Sequence, residues 1–406
     1  MILEYFKNLE TALTAKIQAK PDQPNARRKF ALETARLGKR LFSENERTAW
    51  CGVAAPFDLL NAMGINSCFV EFVGAMLAST GAVGSMLDRA ERAGYHTDCC
   101  AYHRSVIGAA LQGLMPNPDF LIATTSPCSG GLAVIENLAR HFQKDLFVLN
   151  MPLDGSERGI RYLADQIKDM MDFVSGHIGE SIDQDRIRKS IEATNKARDI
   201  MVDVYDLGRQ VPSPLNSKDL KDFGILMALF LGTDAAVDIA QSYKDELIQR
   251  IRSEAHKAKQ ERIRLLWIQN RIQFQNPLVN MLDDECHATI VVDELNDINW
   301  DPIDPGDPYM GIAKRMLAIP LHGPIRKRIE HLQKLASDYQ VDGAINPCHW
   351  GCRQGTGARG LMQRGLKEID VPVLNLEVDC IDPRNFAIGQ LKTRMEAFFE
   401  MIENHR

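Results

Sequence analysis

The sequence predicts an α/β protein of two parallel-sheet (Rossmann-like) domains, with an N-terminal helical cap and a helical insert between them. Three observations lead there. Short apolar runs alternate with helical stretches in two separate parts of the chain, the pattern of a parallel sheet covered by helices. Strand signals vanish between about 156 and 262. A chain of 406 residues also exceeds what one ordinary core organises, so it should divide into domains.

In chain order, residues 1–50 read as the helical cap, with Leu9, Leu13 and Ile17 at fourfold spacing on one face. Residues 51–155 form the first α/β domain, with strands at Asp119–Thr125 and Leu146–Asn150 and a helix at Gly131–Gln143. Residues 156–262 are the insert or linker, where Ile187, Ile191, Thr194, Met201 and Tyr205 mark a helical face. Within it Phe223–Ala240 is apolar but carries Asp234 and Asp238, so it reads as one buried helix and not a membrane span. The charged stretch Arg252–Arg264 is expected to be solvated. Residues 263–406 make the second α/β domain, with strands at Arg264–Ile268, Ala288–Val292, Asp342–Asn346 and Val371–Leu376 and a helix at Ile325–Leu335.

Composition narrows the function. With 45% hydrophobic, 25% charged and 7% aromatic residues the chain is globular, and its net charge of -6 with dispersed basic residues disfavours nucleic acid as a partner. The first residues lack the order of a secretion signal, which implies a cytoplasmic protein with no membrane association. Nine cysteines, an odd number, then argue against a disulfide framework and for thiols kept reduced for metal or redox use.

The positions of those cysteines matter more than their number. Cys128 follows a strand in the loop TTSPCSGG, and Cys352 lies in NPCHWGCRQGTG after another. Ligands collect at the carboxyl ends of strands in open α/β sheets, where helix amino-termini face the crevice. Cys99 and Cys100 precede a helix, Cys51 follows a short apolar segment, and Cys348 shares the loop of Cys352. Helix amino-termini favour the thiolate that binds metal, and several glycines nearby suit an iron-sulfur cluster, whose sulfides accept backbone N–H groups. Zinc is the competing metal, but the paired CxxC knuckles of its structural sites are missing. Cys68, Cys286 and Cys380 read as core residues. His103 and His349 are candidate proton donors or outer partners of a cluster, and Arg104 and Arg353 candidate compensators of thiolate charge; each has a purely structural alternative.

Gly355, Gly357 and Gly360 spell GxGxxG, with Glu377 at the end of the next strand. A dinucleotide fold normally opens with that unit, and too little chain follows Glu377 to build its sheet, so an ordinary loop is the expectation.

The segments CGVAAPFDLLNAMG, DCCAYHRSVIGAAL, DFLIATTSPCSGG, VDGAINPCHWGCR and GQLKTRMEAFFE, in this order, resemble the iron-sulfur subunits of 2-hydroxyacyl-CoA dehydratases and benzoyl-CoA reductases. The resemblance covers roughly residues 45–400. It implies two α/β domains with a cluster between them, and a 4Fe-4S unit held by Cys100, Cys128 and Cys352. The same superfamily includes homodimeric double-cubane (8Fe-9S) proteins, and Cys51, Cys99 and Cys348 would supply the extra thiolates such a cluster needs. A separate iron-sulfur ATPase activator is also implied; this chain has no GxxxxGK[ST] loop of its own. The assembly would be a homodimer or a heterodimer with a related subunit.

Two functions follow from the resemblance. The main expectation is ATP-dependent, low-potential one-electron reduction of a small substrate on a double cubane, favoured by the surplus loop cysteines. The alternative is a subunit of a 2-hydroxyacyl-CoA dehydratase or benzoyl-CoA reductase acting through a ketyl radical on an acyl-CoA. A cluster-free two-domain binding protein stands behind both.

Overall fold

The computed structural model describes residues 2–20, 25–258, 261–295 and 297–405. Parts of the expected cap (1 and 21–24) and of the charged stretch (259–260) lie outside the described residues. Two four-stranded sheets, parallel throughout, form the frame. The first comprises β1 (Thr48–Cys51), β2 (Asn66–Phe69), β3 (Phe120–Thr124) and β4 (Leu146–Leu149), in the order β2-β1-β3-β4. The second comprises β5 (Ile263–Trp267), β6 (Ala288–Asp293), β7 (Gly343–His349) and β8 (Val373–Val378), in the order β6-β5-β7-β8. The halves share no evident sequence repeat but have one topology, and in each the strand order reverses beside the first strand. That reversal opens a crevice at the carboxyl ends of β1 and β3, and of β5 and β7.

Strand sequences explain the burial. All five residues of β3, Phe-Leu-Ile-Ala-Thr, are buried, as are the five of β5, because helices cover both faces of each sheet. β7 runs to His349, past the expected end at Asn346, so Cys348 and His349 belong to a strand and not to a loop. Asn346 survives in this interior by donating from Nδ2 to Asn375 Oδ1 at 2.8 Å.

The insert supplies long helices at Glu157–Ile178 and Gln184–Gly208, and the latter buries Ile187, Ile191, Thr194, Met201 and Tyr205 as the periodicity required. The Phe223–Ala240 run departs from expectation. It is two helices, Leu220–Leu229 and Asp234–Arg252, because Gly232 adopts φ +81° and Thr233 caps the second, its Oγ1 accepting from Ala236 N at 3.2 Å. Among the described residues no helix is long and apolar enough to cross a membrane.

Polar contacts join the two halves around the crevice. Gln354 Nε2 donates to Pro127 O at 2.5 Å, His322 bonds Ser126 Oγ at 2.8 Å and Pro152 O at 2.7 Å, and Arg384 pairs with Asp88 and Glu91.

Candidate functional site

Both crevices open into one cavity of about 1300 Å³. Its wall includes Val53–Ala55 after β1, Pro127–Gly130 after β3, Gln269–Arg271 after β5 and Gly351–Gln354 after β7. Cys99, Cys100, Cys128 and Cys352 all line it.

Three of these occupy the same local position. Cys100 is the N-cap of helix Ala101–Leu111, Cys128 of helix Ser129–Phe142 and Cys352 of the short helix Arg353–Thr356. An N-cap precedes backbone N–H groups that lack intrahelical acceptors, so each sulfur stands at a locus of partial positive charge. Cys128 shows this directly: its Sγ accepts from Gly131 N at 3.1 Å.

Cys352 Sγ is held from the neighbouring strand end, accepting from Gln269 Nε2 at 3.2 Å and facing Asn270 Nδ2 at 3.6 Å. Arg328 Nη2 donates to Gln269 Oε1 at 3.0 Å and pairs with the buried Glu294 at 2.8 Å. With its oxygen so engaged, the Gln269 amide has only its NH₂ to offer the sulfur. Gln269 also carries φ +60°, a strained conformation for a residue with a side chain, as is common where a group is aimed for function.

Cys100 Sγ lies 3.4 Å from His349 Nε2. His349 Nδ1 accepts from Cys380 N at 2.9 Å, and burial, aided by His103 and Arg104, pushes its pKa down to about 3. The ring is therefore neutral, its proton sits on Nε2, and that N–H is aimed at the Cys100 sulfur. Burial pushes the Cys100 thiol well up, and Cys352 and Cys128 add repulsion; burial likewise raises Cys128, partly offset by the Gly131 N–H. Cys100 thus feels the other two sulfurs across the cavity.

Among the described residues no three His, Cys, Asp or Glu side chains converge on a point that could hold a single metal ion. A cubane is a different body, since its ligands bind separate corners. Three capped thiols spaced around a cavity, with N–H donors for its sulfides, fit that group.

The other candidates fall elsewhere. Cys99 is exposed at the cavity, 3.8 Å from Asp98 Oδ1. Cys51 ends β1 and Cys348 lies inside β7 with Sγ 3.6 Å from Asn375 Oδ1; both are buried and neither lines the cavity, so the loop setting expected for them is corrected. The strands simply extend further than their apolar runs suggest. Arg104 lines the cavity but commits its guanidinium to Cys99 O at 3.0 Å and to Glu91 and Asp382. Arg353 reaches the cavity from the helix that Cys352 caps. Glu377, on β8, pairs with Arg359 of the glycine segment at 2.6 Å, so its carboxylate is already engaged.

Several residues of the cavity escape a reading of the sequence. Glu71, just after β2, contacts His103 Nε2 through Oε1 at 3.3 Å while its buried Oε2 has no hydrogen-bond partner. The rule that singles out Cys128, position at a strand's carboxyl end, would also have found Glu71, Gln269 and Asn270 had every strand been recognised and residues other than cysteine been weighed.

A family model described as 2-hydroxyglutaryl-CoA dehydratase, D-component, matches residues 53–402. One of the benzoyl-CoA reductase subunits of Thauera aromatica is 26% identical, over 80% of this chain and 81% of that protein. The alpha subunit of lactoyl-CoA dehydratase from Anaerotignum propionicum is 23% identical, over 89% and 92%. The alpha subunit of (R)-2-hydroxyglutaryl-CoA dehydratase from Acidaminococcus fermentans is 22% identical, over 72% and 62%. The family match spans most of the chain and carries with it the stretches in which Cys100, Cys128 and Cys352 meet, so the chain belongs to the 2-hydroxyglutaryl-CoA dehydratase D-component family of enzymes.

Proposed function

We propose that this chain is the cluster-bearing subunit of an enzyme acting on an acyl-CoA, of the 2-hydroxyacyl-CoA dehydratase or benzoyl-CoA reductase type, with a single 4Fe-4S cluster on Cys100, Cys128 and Cys352. The observation that carries the reading is the convergence of three helix-capping cysteines, from both sheets, on one cavity. The double cubane, the main expectation from the sequence, loses support because Cys51 and Cys348 do not line that cavity. When bound, such a cluster supplies low-potential one-electron chemistry and a Lewis-acidic iron.

The chain's own groups supply the rest. Phe69, Phe72, Ile107, Ile225 and Ile298 give the cavity apolar wall for an acyl chain and exclude water from it. The Glu71–His103 pair is placed to hold or move a proton beside Cys128, and His349 orients the Cys100 sulfur through its Nε2–H. The relatives are named as subunits, which supports a partner subunit here; the lack of a phosphate loop supports a separate iron-sulfur ATPase as electron donor.

The test is an anaerobic iron and sulfide count with an electron paramagnetic resonance spectrum of the reduced protein. Replacing Cys100, Cys128 or Cys352 with Ser should lower bound iron sharply, while Cys51→Ser, Cys348→Ser and Cys286→Ser should retain it. Full iron in the first three variants would refute the ligand set. Loss of about half the iron in Cys51→Ser and Cys348→Ser would restore the double cubane.

A further inference from the structure

The wall of the cavity away from the glycine loops is formed by one face of the Leu220–Leu229 helix, through Leu220, Lys221, Gly224, Ile225 and Ala228. Lys221 is anomalous there. Burial pushes its ammonium down, and the nearby cations of Arg271 and Arg27 push in the same direction. Among the described residues no carboxylate forms an ion pair with it. The acidic groups around it are already engaged: Asp222 by Arg27 at 3.2 Å and Tyr243 Oη at 2.7 Å, Asp219 by Arg250 at 2.6 Å, and Asp293 by Arg271 at 2.6 Å.

Arg271, across from Lys221 on the loop after β5, also lines the cavity. Its Nε reaches Asp293, its Nη1 donates to Ser217 O at 3.2 Å, and its buried Nη2 has no hydrogen-bond partner. Arg271 therefore has the buried Asp293 as its partner, whereas Lys221 has only the partial offset of Asp222, already bonded to Arg27 and Tyr243, and both cations line a largely apolar cavity. Holding a partly desolvated ammonium near a guanidinium costs the folded protein stability, and among the described residues only Asp222 offsets it. Such an arrangement is stabilised when an anion arrives.

We propose that Lys221 and Arg271 form an anion-binding subsite for the substrate, seating either a carboxylate at the far end of the acyl chain or a phosphate of its CoA. This rests on the acyl-CoA reading above. The loop Gln269–Arg271 gives the subsite its direction: one end presents amides to Cys352 and the other presents the guanidinium, so a molecule anchored at Arg271 lies along the loop toward the sulfurs.

Binding to the full-length chain measured calorimetrically with glutaryl-CoA, pentanoyl-CoA, free CoA and glutarate tests this. In Lys221→Met, glutaryl-CoA should bind about tenfold or more weakly while pentanoyl-CoA is unaffected, and Lys221→Arg should restore binding. Equal weakening for all three CoA compounds would keep the subsite and assign it to a phosphate. Glutarate binding that depends on Lys221, without binding of any CoA compound, would keep the subsite and remove the acyl-CoA reading. Undiminished binding of every probe by Lys221→Met, or no binding of any probe by the unaltered chain, overturns the proposal. The unliganded Lys221→Met protein should melt at or above the temperature of the unaltered chain; a drop of several degrees would mark Lys221 as structural and also overturn it.

Discussion

At Gly351 the two halves approach at the backbone itself. Its φ is +75°, and a Cβ there would lie 2.5 Å from Cys100 N, 2.7 Å from Cys99 C and 2.8 Å from Asp98 O. These are main-chain atoms, which cannot swing aside as a flexible side chain would. Gly351→Ala should therefore cost about 2–4 kcal/mol and reduce iron uptake, since it forces Cys100 away from the Cys352 loop. Gly360→Ala is the control: it lies in a helix with nothing near its Cβ position, so it should be neutral or gain up to about 1 kcal/mol. Denaturant unfolding of both variants decides, and an unaltered midpoint for Gly351→Ala would contradict the close-packing account. The sequence marks the glycines beside Cys352 as allowing close backbone approach, yet it cannot reveal which one touches which distant segment.

Among the strands, β3 to β8 were legible because each has an apolar run of several residues, whereas β1 and β2 were not. β2 reads Asn-Ser-Cys-Phe, and its polar Asn66 is acceptable in the interior only because Arg40 donates to its Oδ1 at 2.7 Å and Glu46 accepts from its Nδ2 at 2.8 Å. Such tertiary rescue leaves no trace in a hydrophobic pattern. A second polar device ties helices together. Asp58, fully buried in helix Phe57–Ala62, receives Arg315 of helix Pro308–Ala318 in a two-pronged bond of 2.7 and 2.9 Å, and Ser190 of helix Gln184–Gly208 donates to its carbonyl at 2.8 Å. Asp58→Ala should cost about 3–5 kcal/mol by leaving a guanidinium unpaired in a low-dielectric setting. The double change Asp58→Leu, Arg315→Met should recover most of that loss, because the penalty lies in the orphaned charge. A cost below about 1 kcal/mol for Asp58→Ala would show that water reaches Arg315.

Over the whole molecule, the two-sheet plan was legible, and the apolar runs located the strand-end loops of Cys128 and Cys352; the residues alone left six loop cysteines open, and only the family resemblance singled out Cys100, Cys128 and Cys352. The third wall of the cavity was not legible. Residues 156–262 looked like a linker because helical periodicity reports a buried face without saying what the other face meets, and here the Leu220–Leu229 helix meets the cavity. Cys100 and Cys128 belong with the first sheet and Cys352 with the second, so a cluster bound by all three ties the halves together. Ligands that bind only the folded state raise its stability. Iron-loaded protein should accordingly melt higher and resist trypsin longer than iron-free protein, and Cys352→Ser should abolish the difference. Equal protease lifetimes with and without iron would mean that the halves are already fixed by contacts such as Gln354 with Pro127.

The chain order of the capping cysteines also bears on how the protein is made. Cys128 emerges from the ribosome soon after Cys100, but Cys352 emerges only once the helical insert and most of the second sheet have been synthesised. A nascent chain thus displays two thiols of a triad, beside the exposed Cys99, with no third corner to close it. On the proposed ligand set, cluster delivery would have to wait for translation to pass Cys352. Until then the early thiols are open to oxidation, and shortage of a cluster donor would leave apoprotein rather than a partly loaded intermediate.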